Sequence, residues 1–308
     1  MTKADNNHED AIAVVAVTAG KAPALRDELR AAIVSVDLLP ASIERVLSAS
    51  DDVTAIELQI MDTRADKVAR LRAALAAVNA DVAVLPLASR RKRLLISDMD
   101  STIIGQECLD EIAAFAGLKE QVSAITERAM AGELDFDSAL TERVGMLSGL
   151  DLSALQQAYE ERISLNPGAR TLVATMKAHG AKTVLVSGGF TFFTERVAEA
   201  AGFEDHRGNT LIDDGAKLTG DVGRPILGRE AKLHALDEFA ARQGLGRADA
   251  LAMGDGANDL AMIKASGLGI AYRAKPIVAS EAHAAIDSTD LRTALFFQGY
   301  HQDEFVEG

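Results

Sequence analysis

Tryptophan is absent from the 308 residues, cysteine occurs once, at Cys108, and aromatic residues make up only 4%. A single thiol cannot build an internal disulfide framework, so a disulfide-stapled scaffold is excluded and a reducing compartment fits. No apolar run approaches the ~20 residues that a membrane span requires. The first ten residues are polar, include Glu9 and Asp10, and lack the basic, apolar, small-residue order of a secretory signal. Basic residues are outnumbered, 32 against 46 acidic, for a net charge of −14. A field of that sign repels nucleic acid and anionic membrane, which removes both from the expected partners. It would also repel an anionic substrate unless metal and local cations overcame it. The expectation is a soluble, cytoplasmic protein.

What is present is ordinary globular material: 48% hydrophobic and 25% charged residues, in a length that predicts about two domains at ~150 residues each. Residues 11–17, 53–60 and 81–86 read as strands, with helices over 22–35 and 65–78 between them. That alternation predicts a small α+β domain over residues 1–88, ferredoxin-like or of the amino-acid-binding regulatory kind. The run Arg90-Arg91-Lys92-Arg93 reads as a solvated linker. Beyond it, over 89–308, apolar strands at 94–97, 183–187, 250–253, 268–272 and 284–287 alternate with helical stretches such as 191–201 and 227–243. This is the pattern of a Rossmann-like parallel sheet covered on both faces, with ligands at the carboxyl ends of its strands. Residues 106–165 lack a strand signal, and the chain returns through Asn166-Pro167-Gly168. An all-helical cap over about 106–168 is expected there.

Chemistry-bearing residues collect at the strand ends. Asp98-Met99-Asp100-Ser101-Thr102 follows the first core strand. A calcium loop would need glycine at its sixth position and an acid at its twelfth, but Ile103 and Leu109 stand there. Two carboxylates two apart can instead divide phosphoryl chemistry, one as nucleophile and one as acid/base. Ser187-Gly188-Gly189 ends the next strand with a hydroxyl and glycine amides suited to phosphate oxygens. Lys232 lies on a helix. Asp255, Asn258 and Asp259 cluster after a further strand, where a hard cation would relieve their repulsion.

In this order the four signatures resemble the haloacid dehalogenase superfamily of phosphohydrolases, over roughly residues 94–290. The resemblance implies Asp98 as nucleophile, Asp100 as general acid/base, and Ser187 and Lys232 on the transferring phosphoryl group. It further implies Mg²⁺ held by Asp98, the backbone carbonyl of Asp100 and Asp255, with Asn258 and Asp259 in support. Ion-pumping ATPases of the superfamily carry threonine two residues after the nucleophile; Asp100 can discharge the intermediate and implies a hydrolase. Within the superfamily the chain looks like the phosphoserine phosphatase branch, through Glu107, Phe136, Arg143 and Ser187-Gly188-Gly189-Phe190. Glu107 would then take the ammonium of O-phosphoserine, Arg143 its carboxylate, and Phe136 would exclude water. Gly188, Gly189 and Asn258 would line the substrate, and Thr191 would add a hydroxyl near it. The implied reaction is hydrolysis of O-phospho-L-serine, the last step of serine biosynthesis. The alternatives are another small phosphomonoester, phosphotransfer to an alcohol such as homoserine, or a sensor with a vestigial core. Cys108 reads as a small buried residue, and a homodimer is left open.

Overall fold

Alternating small apolar residues give β1 (Ile12–Ala19) two buried faces: Val14 and Ala16 on one side, Ala13, Val15 and Val17 on the other. The computed structural model describes residues 12–20, 22–37, 40–60, 65–130 and 133–308. After β1 come α1 (Leu25–Ser35), β2 (Pro40–Ala49), β3 (Val53–Ile60), α2 (Ala65–Leu75) and β4 (Asp81–Pro86). The four strands form an antiparallel sheet in the order β2-β3-β1-β4. Leu25, Leu29 and Ile33 of α1 and Leu71 and Leu75 of α2 pack on the face that carries Val14 and Ala16. This βαββαβ arrangement is ferredoxin-like. Strand β2 escapes a reading of hydrophobic pattern. It opens on proline, Glu44 and Arg45 interrupt its alternation, and its register against β3 shifts twice. An edge position tolerates all three irregularities.

The second half begins with β5 (Leu94–Ser97). Four helices follow, α3 (Cys108–Phe115), α4 (Lys119–Met130), α5 (Phe136–Gly145) and α6 (Leu152–Arg162), then α7 (Ala169–Ala178), β6 (Lys182–Phe190), α8 (Thr191–Ala201) and β7 (Asp205–Asn209). A hairpin of β8 (Leu211–Asp213) and β9 (Leu218–Val222) leads into α9 (Arg229–Arg242). The chain closes with β10 (Ala250–Gly254), α10 (Leu260–Ala265), β11 (Leu268–Tyr272), α11 (Pro276–Glu281), β12 (Ala284–Ile286) and α12 (Thr293–Phe297). Six strands pair in parallel in the order β12-β11-β10-β5-β6-β7. Leu94 and Ile96 pack with Leu236 and Phe239 of α9, while Leu95 faces the opposite layer with Leu172 of α7. From β5 the chain runs outward to β6 and β7, then crosses back to put β10 on the other side of β5. The strand order therefore reverses between β5 and β10, and ligands of open α/β sheets bind at that point.

The helical excursion leaves and re-enters through a zipped neck. Asn166 donates from its backbone to Ile103 O (2.8 Å) and from Nδ2 to Thr102 O (2.8 Å), and Gln106 and Ser164 exchange hydrogen bonds. The cap is not wholly helical. The β8–β9 hairpin, some fifty residues further on, pairs with it: Gly149 N donates to Leu218 O (2.8 Å) and Leu218 N to Leu150 O (2.9 Å).

The basic run is half a seam: Arg91 and Arg93 stay exposed as expected of a linker, but Arg90 and Lys92 do not. Arg90 is buried and donates to the fully buried Glu57 of β3 at 2.6 Å. Lys92, also buried, donates to Ser89 O and Ala248 O, and Arg91 lies 4.0 Å over the Tyr300 ring. On β4, Asp81 accepts hydrogen bonds from the backbone of Asp287, Ser288 and Thr289, just past β12. The sheet face carrying Ala13, Val15 and Val17 is covered by the layer of Leu295 and Phe296.

Breaking a buried ion pair leaves an uncompensated charge. Arg90→Ala should lower stability to urea by about 3 kcal/mol or more, whereas Glu57→Leu combined with Arg90→Met should recover most of the loss. A midpoint unchanged by Arg90→Ala would show that Arg45, 3.6 Å from Glu57, suffices alone.

Candidate active site

Strand β5 ends at Ser97, and its next residue, Asp98, sits at the sheet edge with its backbone N–H on Met253 O of β10 (3.0 Å). Asp98 Oδ1 accepts from the Met99 N–H at 2.8 Å and lies 2.7 Å from Lys232 Nζ. That ammonium, on α9, also reaches Asp259 Oδ1 at 2.6 Å, so two buried carboxylates share one buried cation. Asp259 folds back beneath the turn after β10, where its Oδ2 accepts from Gly256 N–H (3.0 Å). A Cβ on Gly254 would stand 2.3 Å from Asp259 Cγ, so only glycine permits that return.

Asp100 points elsewhere. Its Oδ1 accepts from the N–H of Cys108 at the start of α3 (2.9 Å), and its Oδ2 from the Ser187 hydroxyl (3.1 Å). Gly189 is required by this contact, because a Cβ there would lie 2.8 Å from Asp100 Oδ2. Asp98 and Asp100 thus present carboxyl groups from two directions, one tied to lysine and one to a hydroxyl and a helix N-terminus.

The cap contributes one face of α5. The carboxylate of Asp135 accepts from Ser138 N–H (2.9 Å) and fixes the helix start, which places Phe136, Leu140 and Arg143 four and three residues apart on one side. All three line a cavity of about 410 Å³ together with Asp98, Asp100, Glu107, Ser187, Gly188, Gly189, Asp255 and Asn258. Arg143 is half-buried; its Nε donates to Ala139 O and its Nη1 to Thr126 Oγ1, and it has no carboxylate partner among the described residues. Glu107 is held by the Ser101 hydroxyl (2.7 Å). Phe136 is 38% exposed, and its ring lies 3.3 Å from where a Gly188 Cβ would be.

The fold gathers every expected site residue except Thr191. Asp259 and Lys232 lie beneath the cavity floor. Thr191, the first residue of α8, lines a separate cavity with Leu155, Phe192 and Arg196. Of the two neighbours it is Phe190, not Thr191, that lines the site's cavity. Sequence reading missed Asp110, Thr126, Leu140 and Lys275, which also line the cavity. The helical spacing of Leu140 to Phe136 was a usable signal; nothing local marks the other three.

The electrostatics follow from crowding. Burial, then the charge of Asp259, pushes the Asp98 carboxyl well above its ordinary range, against the pull of Lys232. Burial also raises Asp100, opposed by its hydrogen bonds from Cys108 and Ser187. Asp255 is pushed up to about 6 by desolvation and by Asp259. Glu107, open to the cleft but crowded by protein on its other sides, is pushed up to about 7 by desolvation and by Asp100. Burial alone would depress Lys232, but Asp259 and Asp98 override it and keep the ammonium protonated. Burial and Asp100 raise the Cys108 thiol, which leaves it inert. Carboxylate oxygens of Asp98, Asp255 and Asp259 lie within 4.8 Å of one another. With one ammonium against three carboxylates, this hard-oxygen donor set fits a divalent cation.

Raised carboxyl values make the metal-free fold bind more protons than the unfolded chain. Its stability should therefore fall as pH rises through the window from about 4 to 7. Thermal melts in EDTA should show this decline, and Mg²⁺ should restore stability most at the alkaline end. A melting temperature that rises across that window in EDTA would contradict the assignment.

A family model described as haloacid dehalogenase-like hydrolase matches residues 95–264. The chain is 40% identical over 271 residues to a phosphoserine phosphatase of Streptomyces coelicolor, covering 86% of this chain and 65% of that relative. It therefore spans about two thirds of that relative's length. A phosphoserine phosphatase of a Polaromonas species is 45% identical over 204 residues, 65% of this chain and 86% of the relative. Among solved structures, a haloacid dehalogenase family hydrolase from Salmonella enterica serovar Typhi superposes with a TM-score of 0.84 at 30% identity, over 95% of this chain and 99% of that one. The chain belongs to the haloacid dehalogenase-like hydrolases, in their phosphoserine phosphatase family.

Proposed function

We propose that the protein hydrolyses O-phospho-L-serine to L-serine and phosphate, in the cytoplasm and as the last step of serine biosynthesis, with residues 89–308 carrying the chemistry. The observation that carries this reading is that Asp98 and Asp100 open into the same cavity as an unpaired guanidinium, Arg143, and a carboxyl, Glu107. Those two cap groups match the carboxylate and ammonium of an amino acid, while the two aspartates match its phosphoester. The relatives named phosphoserine phosphatase support the same substrate.

In this mechanism a carboxylate oxygen of Asp98 attacks phosphorus, and the bond from phosphorus to the seryl oxygen breaks. Asp100, its pKa raised by burial, protonates the departing oxygen. Asp100 then takes a proton from water, whose oxygen attacks the aspartyl-phosphate, releasing phosphate and regenerating Asp98. Lys232 holds Asp98 in place and faces the transferring charge. Ser187 positions Asp100 and offers its hydroxyl to a phosphoryl oxygen. Asp98, Asp255 and the Asp100 carbonyl, with Asp259 and Asn258 beside them, would hold Mg²⁺, which when bound neutralises phosphoryl charge. Glu107 and Arg143 orient the substrate, and Phe136 closes the mouth against water.

Phosphate release from phosphoserine, phosphothreonine, a sugar phosphate and an aryl phosphate, with Mg²⁺ and with EDTA, tests the proposal. Mg²⁺-dependent preference for phosphoserine is expected; activity on the aryl or sugar ester alone would remove the substrate assignment. Asp98→Asn should reduce turnover by at least ~10⁴-fold. The same variant should melt no lower than the parent, since it relieves repulsion with Asp259. Arg143→Ala should lower kcat/KM for phosphoserine roughly 10²-fold while sparing the aryl ester, which has no carboxylate to clamp. Equal losses on both would show that Arg143 is not the carboxylate clamp.

A further inference from the structure

We infer that Lys275 is a second phosphate-recognising cation of this site, receiving the phosphoryl end of the substrate opposite the cap. The inference rests on the phosphomonoesterase reading above and extends it. Five acidic side chains line the cavity, Asp98, Asp100, Glu107, Asp110 and Asp255, against two basic ones, Arg143 and Lys275. Lys232 is committed beneath the floor to Asp98 and Asp259. In a chain of net charge −14, a phosphoester dianion approaching the strand ends therefore meets one lysine exposed in the cavity wall. Lys275 makes no ion pair among the described residues, so its charge is not already spoken for.

Its placement is built into the backbone. The Lys275 N–H donates to Asp255 O (3.2 Å), which fixes the residue beside the turn that carries Asp255 to Asn258. Pro276 at the first position of α11 restricts the backbone of the residue before it, Lys275. Two residues before, Arg273 is held in the left-handed region, φ 44°, with its N–H on Ile286 O (2.8 Å) and its Nη2 on Thr289 O (3.4 Å). Thr289 is in turn bound to Asp81 of β4. A strained residue clamped at this place keeps the 272–276 turn aimed at the site. Arg143 occupies the cap side and Lys275 the sheet side, so the two cations address opposite ends of an amino-acid phosphoester.

The test is steady-state kinetics of Lys275→Gln and Lys275→Arg on phosphoserine and on an aryl phosphate, each at low and high salt, with calorimetric titration of inorganic phosphate in Mg²⁺. Because the two substrates share only the phosphoryl end, Lys275→Gln should lower kcat/KM for both by about tenfold at low salt, through KM. The salt dependence of kcat/KM should flatten, phosphate affinity should fall by a similar factor, and Lys275→Arg should restore most of each. A change under twofold on both substrates would overturn the inference. So would a loss in kcat at constant KM, or a loss that Lys275→Arg does not rescue. If phosphoserine proved not to be the substrate, the aryl ester and the phosphate titration would still decide the role of Lys275.

Discussion

Lys232 is the point on which the catalytic half depends. A buried ammonium alone would be strongly destabilising, and so would buried Asp98 or Asp259 alone; together they satisfy one another at 2.7 and 2.6 Å. The three groups come from α9, the end of β5 and the turn after β10, so the contact exists only when the sheet and its covering helix are assembled. With Asp255 counted, it also remains two positive charges short. Asp98, Asp255 and Asp259 together exceed what one ammonium neutralises, and that shortfall gives the pocket its capacity for a cation and for an anionic substrate behind it. Glycines at 189 and 254 are the steric condition, since any side chain would occupy the space taken by Asp100 or Asp259.

Around that centre the labour is divided between a rigid floor and a contributed wall. Asp98 and Asp255 stand just past the ends of strands buried on both faces, and Ser187 within the last four residues of another, where packing leaves little freedom. Phe136 and Arg143 instead reach the pocket from α5, whose inner face is buried at Ala139, Leu140 and Val144. An unpaired guanidinium there is tolerated because apolar packing of the same helix offsets its desolvation. The zipped neck at Ile103–Asn166 joins floor to wall, and the β8–β9 hairpin, arriving from another part of the chain, braces the far side.

The amino-terminal sheet is fastened to this assembly by charge as well as by apolar area. Glu57 with Arg90, and Asp81 with the 287–289 turn, are buried polar contacts between residues far apart in sequence. The second of these continues through Thr289 and Arg273 to the turn that carries Lys275. Covering the sheet face of Val15 and Val17 makes the module a structural neighbour of the site rather than a tethered appendage.

Much of this was readable in one dimension, because the signals were local. Strands 53–60, 81–86, 94–97 and 268–272 declare themselves by largely apolar runs, and Asp98, Ser187, Lys232 and Asp255 by their order along the chain. Strands β2 and β7 were not readable: an edge strand needs no continuous apolar pattern, and Asp205–Asn209 carries almost none. The basic run at 90–93 misled at Arg90 and Lys92, because a charged residue reads as solvated unless its partner is known, and Glu57 and Ala248 are brought near only by folding. Thr191 misled by adjacency, since the residue at the start of that helix lines another cavity. Sequence alone determined the chemical groups and the strand ends that carry them, because periodicity and motif spacing are properties of neighbouring residues. Tertiary structure alone decided which charges share a cation, which face the pocket and which merely bind the two sheets together, because electrostatic partners are set by distance in space.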